Sequence, residues 1–354
     1  MAFPSLSTTA SLDFELTREI GQQGKNSTVF VAHDKQLDAE IVIKKIEKAR
    51  LPAIEEFFAE AKRLYDSSHQ HVVQIKYACQ DDQYIYLAMP LYARGSLKTL
   101  IDARFLTVRE IIRYALQFLQ GLHNIHVKGL VHFDIKPDNI LLSDSNEALV
   151  ADFGITGQMN QHGMAQPGLN YALNMPPEVF AQLVHSSTYD IYSAGVALYR
   201  LCNGNQVFYS QSSRYSTQDE LKEAIITGGF PDRKEYPAHI PMALRKAINK
   251  AMDIDQAKRP DTVLDLINLL SPIDQLLDWS FTPSSGQDEW TLETDSSIFS
   301  VIFTSNANRS SVSTTKFLKR SQKRQNVSKG TFDVSGLSAK EIGKQIQALL
   351  LSLE

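Results

Sequence analysis

The sequence predicts an α+β fold in which a β-rich part, a mainly helical part and a small α+β module follow one another. β-prone segments separated by turns fill residues 14–46 and 72–89, as expected for the strands of a sheet. Apolar residues recur at helical spacing from Leu106 to Lys128, which indicates an amphipathic helix. Three more strand-like segments and a final helix follow residue 273. The chain is long enough for one large domain and the smaller module.

The composition excludes several function classes. The 354 residues carry a net charge of −4, which gives no support for chain-wide binding to nucleic acid or to an anionic membrane. Cys79 and Cys202 are the two cysteines, and their apolar neighbours predict buried free thiols in a reducing compartment. Residues 1–12 predict a flexible leader without a signal peptide. With no apolar stretch long enough to span a bilayer, the expected location is cytoplasmic.

The β-rich part contains two features suited to phosphate binding. Gly21 and Gly24 lie between strand-like segments, and glycine lets a hairpin bring its backbone N–H groups over phosphates. An ordinary turn is the alternative, because many hairpin turns contain two glycines. In the next strand, EIVIKKI, we expect Val42 and Lys44 to point to opposite faces.

The stretch from Leu130 to Gly154 gathers two acids, an amide and a lysine into one short strand-loop-strand unit. Asp134 is suited to accept or orient a proton from an attacking hydroxyl. Asn139 and Asp152 supply hard oxygen ligands of the kind that Mg²⁺ prefers. Lys136 is suited to neutralise charge on a phosphoryl group in transfer.

Two motifs in this stretch resemble those of protein kinases. Residues 132–139, HFDIKPDN, resemble the catalytic loop H-R-D-L-K-x-x-N, and Asp152-Phe153-Gly154 resembles the magnesium-binding D-F-G. D-F-G alone is a weak tripeptide, but the two motifs at family spacing are specific. Residues 14–272 thus resemble the eukaryotic-like (Hanks-type) serine/threonine protein kinase family.

The resemblance implies a bilobal protein-kinase-like fold. A β-rich N-lobe would cover residues 13–91 and an α-helical C-lobe residues 92–273. Residues 274–354 carry no family motif and are predicted to form a C-terminal α+β module, whose helix begins at a capping Ser338. The module is expected to pack against the C-lobe or against a partner.

The resemblance also implies ATP as phosphoryl donor and Mg²⁺ as cofactor, with Asn139 and Asp152 as metal ligands. In the family pattern G-x-G-x-x-G-x-V, only Gly24 falls on a family glycine, Ser27 takes the third position and Gly21 is one residue out of register. The implied contacts to the purine come from core residues and from the backbone of the hinge. These positions are Val29, Val42, Met89, Pro90, Tyr92 and Leu141.

EIVIKKI resembles the family's V-A-I-K strand, and Lys44 lies at the family distance from Val29. Its implied role is to position the α- and β-phosphates. An ammonium in apolar surroundings needs an acidic partner. Glu60 in the following helical pattern is the candidate, and Glu55 and Glu56 compete with it as acids favoured in a first helical turn.

One departure from the family concerns control. Phe133 stands where the H-R-D arginine receives the phosphate of the activation loop, so this chain resembles the non-RD variant. The segment between Gly154 and Pro176 contains no serine, and its hydroxyl residues are Thr156 and Tyr171. We therefore predict constitutive activity or control by another route.

Further motifs imply how the activation segment is fixed. Residues 175–178, MPPE, resemble A-P-E, and Glu178 is expected to pair with Arg259. Asp190 falls in a motif that resembles D-x-W-S-x-G, which implies that it braces the backbone of the catalytic loop. Asn174 stands where the family has a tyrosine that helps to position a peptide. The sequence therefore predicts the type of substrate less well than it predicts the type of reaction.

The leading interpretation is a serine/threonine protein kinase in which Asp134, Lys136, Lys44 and Glu60 are catalytic. The lysine in DIKPDN is typical of serine/threonine kinases. Two alternatives are a small-molecule kinase of the same fold and a pseudokinase scaffold that acts through its C-terminal module. Lys136-Pro137 argues against the first alternative, and the filled catalytic positions argue against the second.

The C-terminal module contains a basic segment at residues 316–329 with no acidic residue. A solvated loop is the simpler interpretation, because charge runs usually face water. Contact with an acidic protein or a nucleic acid is the alternative. No membrane contact is expected.

Overall fold

The computed structural model describes residues 12–354 apart from residues 25–26, 51–57, 59–61, 63–64, 66–67, 153–156, 167–172 and 307–308. Residues 1–11 of the expected leader lie outside the described residues. The chain divides into two compact units, Met1–Ala93 and Arg94–Glu354. Within the described ranges, no helix is both long enough and apolar enough to cross a membrane.

The first unit is built on strands β1 (Phe14–Gly24), β2 (Ser27–Asp34), β3 (Ala39–Glu47), β4 (Tyr77–Gln80) and β5 (Tyr84–Pro90). In the described part of this unit they form one antiparallel sheet in the order β1-β2-β3-β5-β4. Side chains alternate between its two faces. Ile41 and Ile43 pack on one face, and Ile46 packs with Ile85 on the other. The two-sided burial explains why β3 is apolar on both faces.

The second unit begins with helices α1 (Leu97–Ala103), α2 (Val108–Val127), α3 (Thr188–Ser212), α4 (Gln218–Thr227), α5 (Met242–Ala251) and α6 (Val263–Leu270). α2 begins after Thr107, which forms a capping box with Glu110. Its apolar face is buried through residues such as Phe118 and Leu122. The helical spacing of the sequence predicted this helix correctly.

In the described residues between α2 and α3 there are four short strands. They are β6 (Leu130–Val131), β7 (Ile140–Leu142), β8 (Ala148–Val150) and β9 (Gly157–Gln158). β7 pairs with β8 and β6 pairs with β9, both antiparallel. The loop between β6 and β7 carries the predicted catalytic residues, and the chain leaving β8 carries Asp152.

α3 lies in the interior of the second unit. Most of its residues are buried, because other elements surround it on several sides. A Cβ at Gly195 would come within 2.9 Å of the Ala251 side chain and 2.8 Å of that of Met252, so glycine allows α5 to approach. Gly204, at a φ of 76°, interrupts the helical geometry, and this left-handed conformation favours glycine.

The rest of the second unit is a small α+β module. Its elements are β10 (Ser280–Ser284), β11 (Gln287–Glu293), β12 (Ser297–Asn306), β13 (Arg309–Leu318), β14 (Lys323–Asn326), β15 (Phe332–Asp333) and α7 (Ala339–Leu353). In its described residues the strands form an antiparallel sheet in the order β10-β11-β12-β13-β14, and β15 also pairs with β13. α7 begins after Ser338 in a capping box with Glu341, as predicted.

The module packs against the helical part, which is one of the two alternatives that the sequence left open. Ala238 of the helical part joins the buried cluster of the module, which includes Trp290. The side-chain amide of Gln347 in α7 donates to the carbonyl oxygens of Ala238 and Ile240 at 3.0 and 2.9 Å. Trp290 Nε1 donates to His239 Nδ1 at 3.3 Å. The two parts therefore share one apolar core.

We expect Leu350→Ala to lower the free energy of unfolding by about 2–5 kcal/mol, because it deletes apolar volume from this shared core. Leu350 is 0% exposed, whereas its neighbour Leu351 is 42% exposed. Leu351→Ala is the matched control and should change stability by less than about 0.5 kcal/mol. Urea unfolding followed by circular dichroism measures both. Equal effects of the two substitutions would contradict the packing of α7.

Candidate active site

The catalytic loop is held at its beginning by the carboxylate of Asp190. The backbone N–H groups of His132 and Phe133 donate to Asp190 Oδ2 and Oδ1 at 2.7 and 2.8 Å. Asp190 is 0% exposed in the first turn of α3, and His126 Nε2 lies 2.8 Å from its Oδ2. Phe133 has a φ of 67°, which is costly for an aromatic residue unless its surroundings enforce it. Asp190 braces the loop, as the sequence predicted.

His132 connects this loop to the segment that carries Asp152. Its Nδ1 accepts from the backbone N–H of Asp134 at 3.2 Å, and its Nε2 lies 3.0 Å from the carbonyl oxygen of Ala151. Since Nδ1 acts as acceptor, Nε2 carries the proton and donates to Ala151. The buried imidazole therefore links the backbone of the predicted catalytic residue Asp134 to the residue that precedes the predicted metal ligand Asp152.

Two predicted catalytic side chains and one predicted metal ligand meet in the loop. Lys136 Nζ lies 2.8 Å from Asp134 Oδ2, and the side-chain amide of Asn139 donates to the same oxygen at 2.7 Å and to the Asp134 carbonyl at 2.9 Å. The side chains of Asp134 and Lys136 are 18% and 22% exposed. The carboxylate is thus fixed in orientation and still reachable by a substrate.

The two predicted metal ligands lie at the same end of the β7–β8 hairpin. Ile140 pairs with Val150, and the Ala151 N–H donates to the Asn139 carbonyl at 2.8 Å. Asn139 therefore lies beside the residue that directly precedes Asp152. Because the Asn139 amide nitrogen donates to Asp134, its Oδ1 is the atom that can face a cation. Asp152 is exposed at a φ of 61°. Phe153 and Gly154 lie outside the described residues.

This donor set fits Mg²⁺ that arrives with a nucleotide. Across the described part of the chain, no cluster of three or more His, Cys, Asp or Glu side chains could hold a metal ion. An amide oxygen and a carboxylate are hard ligands, and Mg²⁺ in such sites takes its remaining ligands from phosphates and water. The residues present are therefore suited to a metal–nucleotide complex.

In the first unit, the sheet register brings several predicted nucleotide contacts onto one face. Lys44 pairs with Val29 of β2, and Val42 pairs with Met89 of β5. Val42 and Lys44 lie two residues apart on β3, and such residues share a face. The expectation that they point to opposite faces was therefore wrong. The register places Val29, Val42, Lys44 and Met89 side by side.

The remaining predicted nucleotide contacts lie at strand ends and in β7. Gly21 pairs with Val29, and Gly24 pairs with Ser27 at the end of the β1–β2 hairpin. Pro90 is the last residue of β5, and burial raises the pKa of the Tyr92 phenol that follows it. In the second unit, Leu141 is the middle residue of β7 and only partly buried. Glu60 and its competitors Glu55 and Glu56 lie outside the described residues.

Phe133 fills the position of the family arginine with apolar packing. Its ring, 3% exposed, meets the ring of Tyr189 edge to face at a centroid distance of 5.0 Å and that of His185 at 6.4 Å. Ala165 and His185 exchange backbone hydrogen bonds of 2.8 and 2.7 Å. Burial lowers the pKa of His185, although the negative charge of Glu178 acts in the other direction. The His185 imidazole that contacts Phe133 is therefore neutral at neutral pH.

The end of the activation segment is anchored by a buried ion pair. Arg259 Nη1 and Nη2 each lie 2.7 Å from one oxygen of Glu178. Arg259 is 2% and Glu178 8% exposed, and Arg259 Nε also donates to the Asp253 carbonyl at 2.8 Å. Two parallel charge-assisted bonds give a fixed geometry. The pairing that the sequence predicted is confirmed.

Besides Asp190, two further buried polar residues contact the catalytic loop, and the sequence analysis did not predict these contacts. Asn174 is buried and its side-chain amide donates to the Ile135 carbonyl at 3.2 Å, while Arg200 of α3 pairs with Asp138 at 3.2 Å. The signal for Arg200 was an arginine inside the apolar run SAGVALYRLC, where an unpaired charge would be costly. Asn174 had no such signal beyond its departure from the family tyrosine.

Comparison with known proteins agrees with this geometry. The family model of the protein kinase domain matches residues 14–269. The chain is 33% identical over 221 residues to serine/threonine-protein kinase ULK3 of Xenopus laevis, covering 61% of this chain and 46% of that protein. It is 28% identical over 314 residues to serine/threonine-protein kinase 33 of Mus musculus, covering 81% of this chain and 62% of that protein.

The chain spans 46% of the Xenopus protein, 55% of ULK3 of Mus musculus and 62% of serine/threonine-protein kinase 33, and therefore less than two thirds of the length of each of these relatives. The matched region nevertheless contains both the β-rich unit and the helical part. It also contains the catalytic loop with its anchoring aspartate. This chain belongs to the eukaryotic-like, Hanks-type protein kinase family.

Proposed function

We propose that the chain is an ATP- and Mg²⁺-dependent serine/threonine protein kinase that transfers the γ-phosphoryl group to hydroxyls of a protein substrate. The observation that carries the proposal is the fixed carboxylate of Asp134, held by Lys136 and Asn139 at 2.8 and 2.7 Å. The relatives named above are serine/threonine kinases, and Lys136 occupies the position typical of that class.

Asp134 accepts a hydrogen bond from the substrate hydroxyl and orients its oxygen towards the γ-phosphorus. A new P–O bond forms to this oxygen, the bond to the bridging oxygen of ADP breaks, and the hydroxyl proton is released through Asp134. Lys136, beside Asp134, offsets the negative charge of the phosphoryl group in transfer. Asn139 and Asp152 would hold Mg²⁺, which would supply further charge neutralisation at the phosphates when bound. Most of the rate enhancement then comes from positioning and electrostatics.

The nucleotide site is proposed on the face of the first sheet that carries Lys44. Lys44, with Glu60 as its partner, would position the α- and β-phosphates, and the hairpin with Gly21, Gly24 and Ser27 would lie over them. The shared face of Val29, Val42 and Met89 supports this placement. The proposed purine contacts are Val29, Val42, Met89, Pro90, Tyr92 and Leu141.

Activity is proposed to be independent of phosphorylation of the activation loop. A phosphate orders such a loop by pairing with arginine, but this chain has Phe133 at that position. Here Met159, Met175 and Val179 pack around the cluster of Phe133 and Tyr189. Apolar packing would thus do the ordering that a phosphate does elsewhere.

The setting and the partners of the protein are further proposals. Cys79 and Cys202 are free, which favours the reducing cytoplasm. The basic segment 316–329 includes the β13–β14 turn, where Lys319 Nζ already lies 2.7 Å from Glu293. Contact of this segment with an acidic protein or nucleic acid stays a prediction. A small-molecule acceptor or a scaffold role stays the alternative if no protein is labelled.

We expect Asp134→Asn to reduce phosphate transfer about 10²–10⁴-fold, because the amide cannot act as a base. The change is isosteric, so the melting temperature should stay within about 2 °C of wild type. Asp144→Asn, at an exposed position of the β7–β8 turn, is the matched control and should keep full activity. Transfer from γ-labelled ATP to a generic protein substrate, with phosphoamino-acid analysis, is the measurement. Undiminished transfer by Asp134→Asn would refute the proposed role.

Phosphatase treatment of the wild type should leave its initial rate within about twofold of the untreated enzyme, with complete dephosphorylation verified by intact mass. A large loss of rate would contradict activation by packing.

Phe133→Arg should lower stability by about 2–4 kcal/mol, because it buries a charge against Tyr189 and His185. Phe133→Leu keeps an apolar side chain there and should lose less. Thermal unfolding of both variants distinguishes them. A Phe133→Arg protein as stable as Phe133→Leu would show that the cluster is not a tight apolar anchor.

A further inference from the structure

We propose that Arg200 is a positioning residue that fixes the second half of the catalytic loop, by way of Asp138 and Asn174. This inference rests on the proposed kinase function. Arg200 lies in α3 and is 2% exposed. Its Nη2 lies 3.2 Å from Asp138 Oδ2, and Asp138 directly precedes the metal ligand Asn139. One arm of the guanidinium thus reaches the residue next to the proposed magnesium site.

The other arm is connected through Asn174 to Ile135, the residue that follows Asp134. Arg200 Nη1 donates to Asn174 Oδ1 at 3.5 Å, and Asn174 Nδ2 donates to the carbonyl oxygen of Ile135 at 3.2 Å. The backbone carbonyl of Asn174 also accepts from Ser193 Oγ of α3 at 3.1 Å. Asn174 therefore connects α3 to the loop just after Asp134, through the segment that precedes MPPE.

The guanidinium itself is held from the opposite side. Its Nε donates to Asn205 Oδ1 at 2.8 Å, and Asn205 Nδ2 donates to Asp102 Oδ1 at 2.6 Å. In an unbroken α-helix, side chains five residues apart point in directions that differ by about 140° around the helix axis. Arg200 and Asn205 would then point away from each other. The interruption at Gly204 lets them meet.

The surrounding charges balance the buried cation. Asp138 pairs with Arg200, and Asp102 pairs with Lys98 at 2.7 Å. Burial alone would raise the pKa of Asp102, but the hydrogen bonds from Lys98 and Asn205 lower it overall. Arg200 Nη2 also donates to the Tyr209 hydroxyl at 3.3 Å. A buried cation held by hydrogen bonds from all three nitrogens has little freedom to move, which makes Arg200 a rigid support.

α3 thus contacts the loop at two places. Asp190 holds His132 and Phe133, and Arg200, ten residues later, reaches Asp138 directly and Ile135 through Asn174. Ten residues of helix span about 15 Å. Asp134 and Asn139 lie between or beside these anchored residues, so their separation depends on both contacts. Loss of the Arg200 contact should misplace the groups without removing either.

The test is Arg200→Met, which keeps the aliphatic stem and removes the guanidinium. We expect kcat to fall about 10–100-fold while the KM for ATP stays within about twofold, because Lys44 and the purine contacts are untouched. Amide hydrogen exchange of residues 134–140 should become faster. Arg214→Met, at a position with 58% side-chain exposure, is the control and should match wild type in all three measurements.

Two further variants separate positioning from stability. Arg200→Met with Asp138→Asn removes the uncompensated carboxylate and should regain melting temperature but not kcat. Arg200→Lys keeps a cation near Asp138 without the fork to Asn174 and Asn205, and should remain folded with reduced kcat. If kcat of Arg200→Met is within twofold of wild type, or recovers together with melting temperature in the double variant, the inference is overturned. Full kcat of Arg200→Lys would overturn the role of Asn174.

Failure of the proposed function gives a different result. In that case the wild type itself transfers no phosphate, and the hydrogen exchange of residues 134–140 alone decides whether Arg200 holds the loop. Unchanged exchange in Arg200→Met would then overturn the inference, and faster exchange confined to the loop would support it.

Discussion

The buried carboxylate of Asp190 is the contact on which the catalytic loop depends. Its two oxygens accept from the consecutive backbone N–H groups of His132 and Phe133. A buried backbone N–H without an acceptor is costly, and a charged acceptor forms a stronger bond than a neutral one. The carboxylate thereby fixes the left-handed Phe133 and the direction in which the loop leaves β6.

α3 can support the loop because the rest of the second unit is packed around it. Most side chains that α3 buries against its neighbours are apolar. Its polar residues Asp190 and Arg200 instead bond to the catalytic loop. The close approach at Gly195 and the interruption at Gly204 show how local backbone choices adapt the helix to its neighbours. The support of the site is thus a property of the core and not of the loop sequence.

The same unit shows two ways of holding the activation segment. Glu178 and Arg259 use a buried ion pair with parallel hydrogen bonds, which fixes orientation but requires both partners. Phe133, Tyr189 and His185 use aromatic packing, which needs no added charge. The C-terminal module extends this core on another side, through Ala238 and Trp290, and buries a helix that would otherwise expose its apolar face.

The sequence by itself determined the family, the catalytic motifs, the principal helix of the second unit and the capped final helix. It could do so because motif spacing, capping residues and helical periodicity are local. The sequence also suffices to tell which faces of β3 carry Val42 and Lys44, because residues two apart on a strand share a face. The prediction that they point to opposite faces was wrong because it did not follow this period of two.

By contrast, only the tertiary structure decided that Arg200 and Asn174 support the catalytic loop and that the module packs on the helical part. Those contacts join residues such as Arg200 and Asp138, or Trp290 and His239, which lie 62 and 51 positions apart. No local pattern encodes such pairs, because they form only when the core brings distant segments together.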